Sequence, residues 1–177
     1  MNNGPAIGAA PYKRVTITQA GSFLGIRLFQ FGHLYWTDNL VCTDGSELSD
    51  AELAKFFKDF IVPSAWPQEA KNGDYFVVND PTFGPFGGTG IVQTFVAPDG
   101  LSGRNVTTVI HPLHSGAEDR QLYRASDGSI GVRTFGDGGN RAHILALINA
   151  HGGVSIFTRE EKKFARSLQS QFEQCKF

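Results

Sequence analysis

The residues best suited to chemistry lie in one short run, Thr107-Thr-Val-Ile-His-Pro-Leu-His-Ser-Gly-Ala-Glu-Asp-Arg120. It holds two of the five histidines, His111 and His114, then the carboxylates Glu118 and Asp119, and then Arg120. Imidazole titrates near neutral pH, so one histidine can deprotonate a nucleophile while the other protonates a leaving group. Arg120 can neutralise a developing anion. That division of labour suits cleavage of a phosphodiester without a metal, and equally acyl or glycosidic hydrolysis. A metal site fits less well. The two histidines are three apart, which on a strand sends them to opposite faces, and Pro112 opposes the helix that would bring them together. No metal and no cofactor is expected. The plainer alternative is a His111 hydrogen-bonded at a strand end and a solvated turn over 118–120.

A second candidate is Thr134-Phe-Gly136-Asp-Gly138-Gly139-Asn140-Arg141, read as a glycine-rich loop feeding a helix capped by Asn140. Backbone amides at such a place can hold a phosphate or carboxylate. Gly136, Gly138, Gly139, Asn140 and Arg141 are therefore the expected substrate-binding residues, with charge added by His143. The alternative is an ordinary turn before a capped helix. A dinucleotide fingerprint fails because Arg141 stands where its last glycine belongs, and neither a Walker ending nor a Gly-x-Ser-x-Gly elbow occurs. If the chain from Arg120 to Phe135 folds back as a hairpin, this loop returns toward His111 and His114. Cys42 and Cys175 read as buried thiols, with a single bridge left open and no zinc-like spacing. Trp36, Tyr35 and Trp66 read as core packing in preference to a stacking platform.

The elements that must position these groups are legible by period. The chain has 177 residues, 41% apolar and 19% charged, which favours one domain with a full core. A net charge of -1, from 16 basic and 17 acidic residues, shows no strong nucleic-acid signature. Fifteen Phe and 21 Gly against one Met suit a sheet with short connections. After a flexible lead-in over 1–12, alternation predicts three short strands, from Lys13, over 23–29 and over 33–43. Ser49 and Glu52 form a capping box that opens a helix with Leu53, Phe56, Phe57, Phe60 and Ile61 on one face. Further strands are expected near 75–78, 91–96, 104–110, 120–124 and 129–135, the last two joined at Asp127-Gly128. Two C-terminal helices follow, separated at Gly152-Gly153, the second opened by a Thr158/Glu161 capping box. The fold class is α+β: a single domain over 13–177 with about seven to eight mostly antiparallel strands, one internal helix and two C-terminal ones. No signal peptide is visible and no membrane span is expected.

The run from Arg104 to Arg120, with the glycines at 136–139, resembles C-terminal segments of some bacterial secreted effector or polymorphic toxin proteins. The resemblance covers the last half of the chain. It implies an antibacterial effector, cytoplasmic as made and exported without a classical signal, with a cognate immunity or secretion partner. Three readings follow. The first is an effector-like hydrolase acting on an anionic, phosphodiester-type substrate through His111, His114 and Arg120. The second is a non-catalytic interaction module using Phe83 and Phe86 in the 80–90 loop. The third is a small-molecule binder, its ligand between the sheet and the Leu53–Ile61 helix.

Overall fold

The computed structural model describes residues 12–23, 26–63, 68–79, 89–111, 115–140 and 143–175, with backbone alone for 12–13, 15–23, 26–30, 79, 140 and 143–150. The strands are β1 (Tyr12–Phe23), β2 (Ile26–Cys42), β3 (Tyr75–Asn79), β4 (Thr89–Val96), β5 (Ser102–Thr107), β6 (Gly116–Arg124) and β7 (Ile130–Asn140). Helix α1 (Asp50–Phe57) and a 3-10 turn over Lys58–Phe60 follow β2, and α2 (His143–Gln171) follows β7. The seven strands form one antiparallel sheet in the order β1-β2-β7-β6-β5-β4-β3. The class is α+β, with one face of the sheet packed against the helices.

Local signals explain much of this. The Ser49 side chain accepts from Glu52 N and the Glu52 carboxylate accepts from Ser49 N, so the capping box that opens α1 is complete. The β6–β7 hairpin turns at Gly128, whose φ of 86° is a conformation that glycine adopts without strain. Leu53 and Phe57 of α1, with Ile61 after it, pack on Val92, Leu122, Ile130 and Val132 of the sheet and on Phe164 and Leu168 of α2. Among the described residues no helix is long and apolar enough to cross a membrane.

Four expectations are corrected. The first strands are two, since β2 runs unbroken through Gly32, which is paired to Thr16 on one side and Gly139 on the other. The glycines at 136–139 form no loop, because they continue β7, and Asn140 ends that strand opposite Phe31. The two C-terminal helices are one helix of 29 residues. Gly153 does not end it: the Tyr35 ring lies where a Cβ would project, 2.4 Å from its ideal position, so the missing side chain lets helix and strand close up. Glu161 opens no helix either, because its carboxylate is buried against β2 and β7. Finally, Cys42 and Cys175 are bridged, so they are not free thiols, and the end of β2 is tied to the turn after α2. Of the lead-in, residues 1–11 lie outside the described residues, and Tyr12 opens β1.

Candidate functional site

Strand alternation sends every second residue of β2, β7, β6, β5 and β4 to the helix-covered face. Across that face the register aligns Tyr35 with Gly136, Gly136 with Glu118, Glu118 with Asn105 and Asn105 with Thr94. The next row aligns Thr37, Thr134 and Arg120. These groups form a buried polar belt beneath α2 and the end of α1.

The belt is tightly bonded. Glu161, projecting from α2, accepts from Thr37 Oγ1 and Thr134 Oγ1, both at 2.7 Å, and from Asn39 Nδ2. Asn105 donates to Ile61 O at 2.8 Å and to Glu118 Oε1 at 3.3 Å, and its Oδ1 accepts from Thr94 Oγ1. Arg120 is 1% exposed. Its Nε donates to Thr134 Oγ1 at 3.3 Å and lies 3.8 Å from Glu118 Oε1, while Nη1 donates to Phe60 O. Its guanidinium carbon sits 5.9 Å from the Phe57 ring centre and 5.6 Å from that of Phe157. Nη2 has no hydrogen-bond partner among the described residues.

Burial governs the protonation of this belt. Glu118, 6% exposed, has its carboxyl pKa pushed up to about 8, chiefly by desolvation, which the Arg120 charge and the Asn105 hydrogen bond only partly offset. Desolvation also raises Glu161, against the pull of Arg120 and its three donors. The Tyr35 phenol rises for the same reason, with Glu118 adding to it. One guanidinium therefore faces two carboxyl groups, of which Glu161 is far the better supplied with donors.

The glycines serve close packing. An ideal Cβ on Gly136 would fall 2.1 Å from Tyr35 Cζ, and one on Gly138 would fall 2.3 Å from Ser115 O. His33 lies over Gly138 and Gly116 and stacks toward Tyr35, with ring centres 6.3 Å apart, and Tyr35 stacks on Phe157 at 5.7 Å.

Against this geometry the residues expected from sequence are dispersed. Arg120 lies in the belt, shielded from solvent. His111 is half-buried in the turn after β5, its amide donating to Thr108 O, and its ring covers Gly90, which shares the helix-facing side with Val92 and Thr94. His114 and Arg141 lie outside the described residues. Gly136, Gly138 and Gly139 sit in β7 between β2 and β6, and Gly139 exchanges both backbone bonds with Ser115. The hairpin thus does bring 136–139 beside the chain that follows His114. As a strand paired on both sides, however, this stretch has its amides engaged in the sheet and forms no anion cradle. Among the described residues no group of three His, Cys, Asp or Glu is placed to hold a metal.

Sequence reasoning missed His33, Tyr35 and Glu161. Two signals could have found them. Polar residues recur at every second position from His33 to Asn39, and a lone charge at 161 interrupts the helical stripe of Phe157, Phe164 and Leu168.

No family model matches the chain, and no curated protein matches it. Solved structures resemble it distantly. Protein MLL2253 from Mesorhizobium loti shares 12% identity at a TM-score of 0.48, over 76% of this chain and 97% of that one. CalU16 from Micromonospora echinospora shares 8% at 0.43, over 91% and 97%. Protein Ms6760 from Mycobacterium smegmatis shares 10% at 0.44, over 78% and 91%. None of these names states an activity or links the chain to effector or toxin domains, and likenesses this distant say nothing of function.

Proposed function

We propose that the chain binds a small organic molecule between the sheet and α2, at the belt around Glu118 and Arg120. The observation that carries this reading is Arg120 Nη2. A buried guanidinium nitrogen without an acceptor costs roughly 1–3 kcal/mol or more, and proteins rarely leave one idle. Its neighbour Glu118 has a strongly displaced pKa, and that combination makes the pair a candidate ligand site. The third sequence reading is thereby favoured, with the site shifted from the α1 side toward α2.

The test is a small-molecule screen followed by NMR or calorimetry on the wild type and on Arg120→Met, which keeps an apolar stem and removes the unpaired donor. The expected result is a set of compounds that perturb the belt in the wild type and lose their affinity in the variant. A wild type that binds nothing at the belt would sink the proposal.

The effector-like hydrolase is kept as a second reading because His111 lies on the same sheet face as Glu118 and Arg120. It predicts growth arrest on induction in bacteria, relieved in a folded His111→Ala/His114→Ala variant. Growth unaffected by the wild type, in the cytoplasm and after export, would remove it. The Cys42–Cys175 bridge favours an oxidising compartment and so fits an exported protein. The interaction-module reading used residues 80–88, which lie outside the described residues.

A further inference from the structure

The two edges of the sheet differ in kind. β1 carries Lys13 and Arg14, and its ladder with β2 shifts register between Gln19 and Gly21. Charge and irregularity are the usual guards of an open edge, because each spoils the template that a free strand offers. β3, at the other edge, reads Tyr-Phe-Val-Val-Asn, pairs regularly with β4 and holds neither charge nor proline. Among the described residues no strand pairs with its outer side.

The backbone groups on that outer side can be named. Thr94 N donates to Asp74 O at 2.8 Å, so the Asp74 carbonyl faces β4. Antiparallel pairing alternates along a strand, so Phe76 and Val78 also turn their amides and carbonyls to β4. Tyr75, Val77 and Asn79 turn theirs outward.

Exposed apolar side chains gather at the same corner. Of the six large apolar side chains exposed among the described residues, Tyr75, Val77, Phe95, Val109 and Ile110 belong to β3, β4 or the turn after β5. Thr108 N donates to Ile91 O at 3.0 Å, and Ile91 pairs with Val77, which sets that turn on the β3 side of the sheet. Apolar residues scattered singly over a surface need no explanation, but a group beside an open strand marks an interface.

Charge selects the partner. Neither β3 nor β4 contains a charged residue, so this corner offers nothing to a partner recognised by its charge. A second copy of the chain brings the same uncharged edge and the same outward backbone groups, and meets them without repulsion. Antiparallel pairing about a twofold axis lets each copy satisfy the other. With the axis at Phe76, Tyr75 of one copy lies beside Val77 of the other, and both turn their backbone groups into the joint. Their side chains meet on the face away from the helices, an aromatic ring against a β-branched side chain, which is a favourable cross-strand pair.

We infer that the chain forms a twofold dimer in which β3 pairs antiparallel with β3 of a second copy, joining the two seven-stranded sheets into one. Burial of Tyr75 and Val77, 64% and 60% exposed in the single chain, adds an apolar contribution to the new backbone bonds.

Sedimentation velocity on the full chain, from about 1 µM to about 1 mM, tests this. The wild type is expected to pass from monomer to dimer over that range. Val77→Lys should weaken the association at least about tenfold, by setting a cation on each side of the joint. Phe135→Lys, on the same sheet face but on the central strand β7, should leave it unchanged. Hydrogen exchange supplies a readout on the wild type alone. On dilution into the monomer range the Tyr75 and Val77 amides should lose protection at least about tenfold, while Phe76 and Val78 keep theirs. Should Val77→Lys fail to fold, that alternation decides. A wild type still monomeric at about 1 mM overturns the inference. So does association weakened as much by Phe135→Lys as by Val77→Lys, which would place the contact on the open sheet face. Species beyond a dimer overturn it as well, because a twofold edge contact closes on itself, and so do Tyr75 and Val77 amides that dilution leaves as protected as before.

Discussion

One sheet face is built in two ways. Toward Cys42 the strands present Val41, Ile130, Val132 and Leu122, sealed by Phe57, Phe164 and Leu168, all essentially without exposure. Toward Phe31 the same strands present His33, Tyr35, Glu118 and Asn105, set among Gly116, Gly136 and Gly138. The first end gains from every apolar contact and needs nothing from outside. The second spends burial on charged and hydrogen-bonding groups, and it leaves one of them unmet. Apolar packing and buried polar bonding occupy separate halves of a shared scaffold, with α2 spanning both.

The sharpest way to break that contrast is Phe164→Ala. This ring meets Phe57 and Phe60, with centres 5.5 and 5.2 Å away, and is fully buried. Urea denaturation should show a loss of about 3–5 kcal/mol. A loss under about 1 kcal/mol would mean that the apolar end is not the anchor.

The polar end should answer to pH. The folded-state pKa of Glu118, about 8, lies above its ordinary 4.5, so the folded state holds the proton more tightly. Its stabilising contribution is complete below pH 4.5, declines as pH rises and is lost beyond about 8, by at most roughly 3–5 kcal/mol. Glu161 adds a decline of the same sign. Glu118→Gln should flatten much of the fall in a series of melts from pH 5 to 9, and an unchanged slope would place the proton elsewhere.

Within the polar end, Gly153→Ala should destabilise by about 1–3 kcal/mol, because the new methyl runs into the Tyr35 ring. In an open helix the same change would gain about 1 kcal/mol, so the sign alone identifies the contact. The smallest effect belongs to a site remote from the belt. Ser49→Ala removes the α1 cap and should cost about 1 kcal/mol by thermal unfolding, with no change in ligand binding.

What could be read beforehand follows the same division. The Ser49–Glu52 box, the Asp127-Gly128 hairpin and the alternating strands rest on neighbours in the chain, and local spacing reveals them. Gly153 and the glycines at 136–139 carry the same local signal whether they turn the backbone or admit a ring. The residue that decides between the two, Tyr35, stands on a distant strand. Glu118 and Arg120 were noticed as chemistry, but their burial depends on β6 beginning at Gly116, after a proline-containing segment that obscures the register. The bridge between Cys42 and Cys175 was equally hidden, since two cysteines far apart in sequence carry no spacing rule.

That bridge has a mechanical consequence. It ties the turn after α2 to the end of β2, while the chain joins the start of α2 to the end of β7, so the helix is fastened to the sheet at both ends. At about 1.5 Å per residue those two fastenings stand roughly 43 Å apart along α2, one a peptide link and the other a disulfide. Reduction of the disulfide would release only the second, so the helix would keep its place at the polar end and loosen first beside the apolar one.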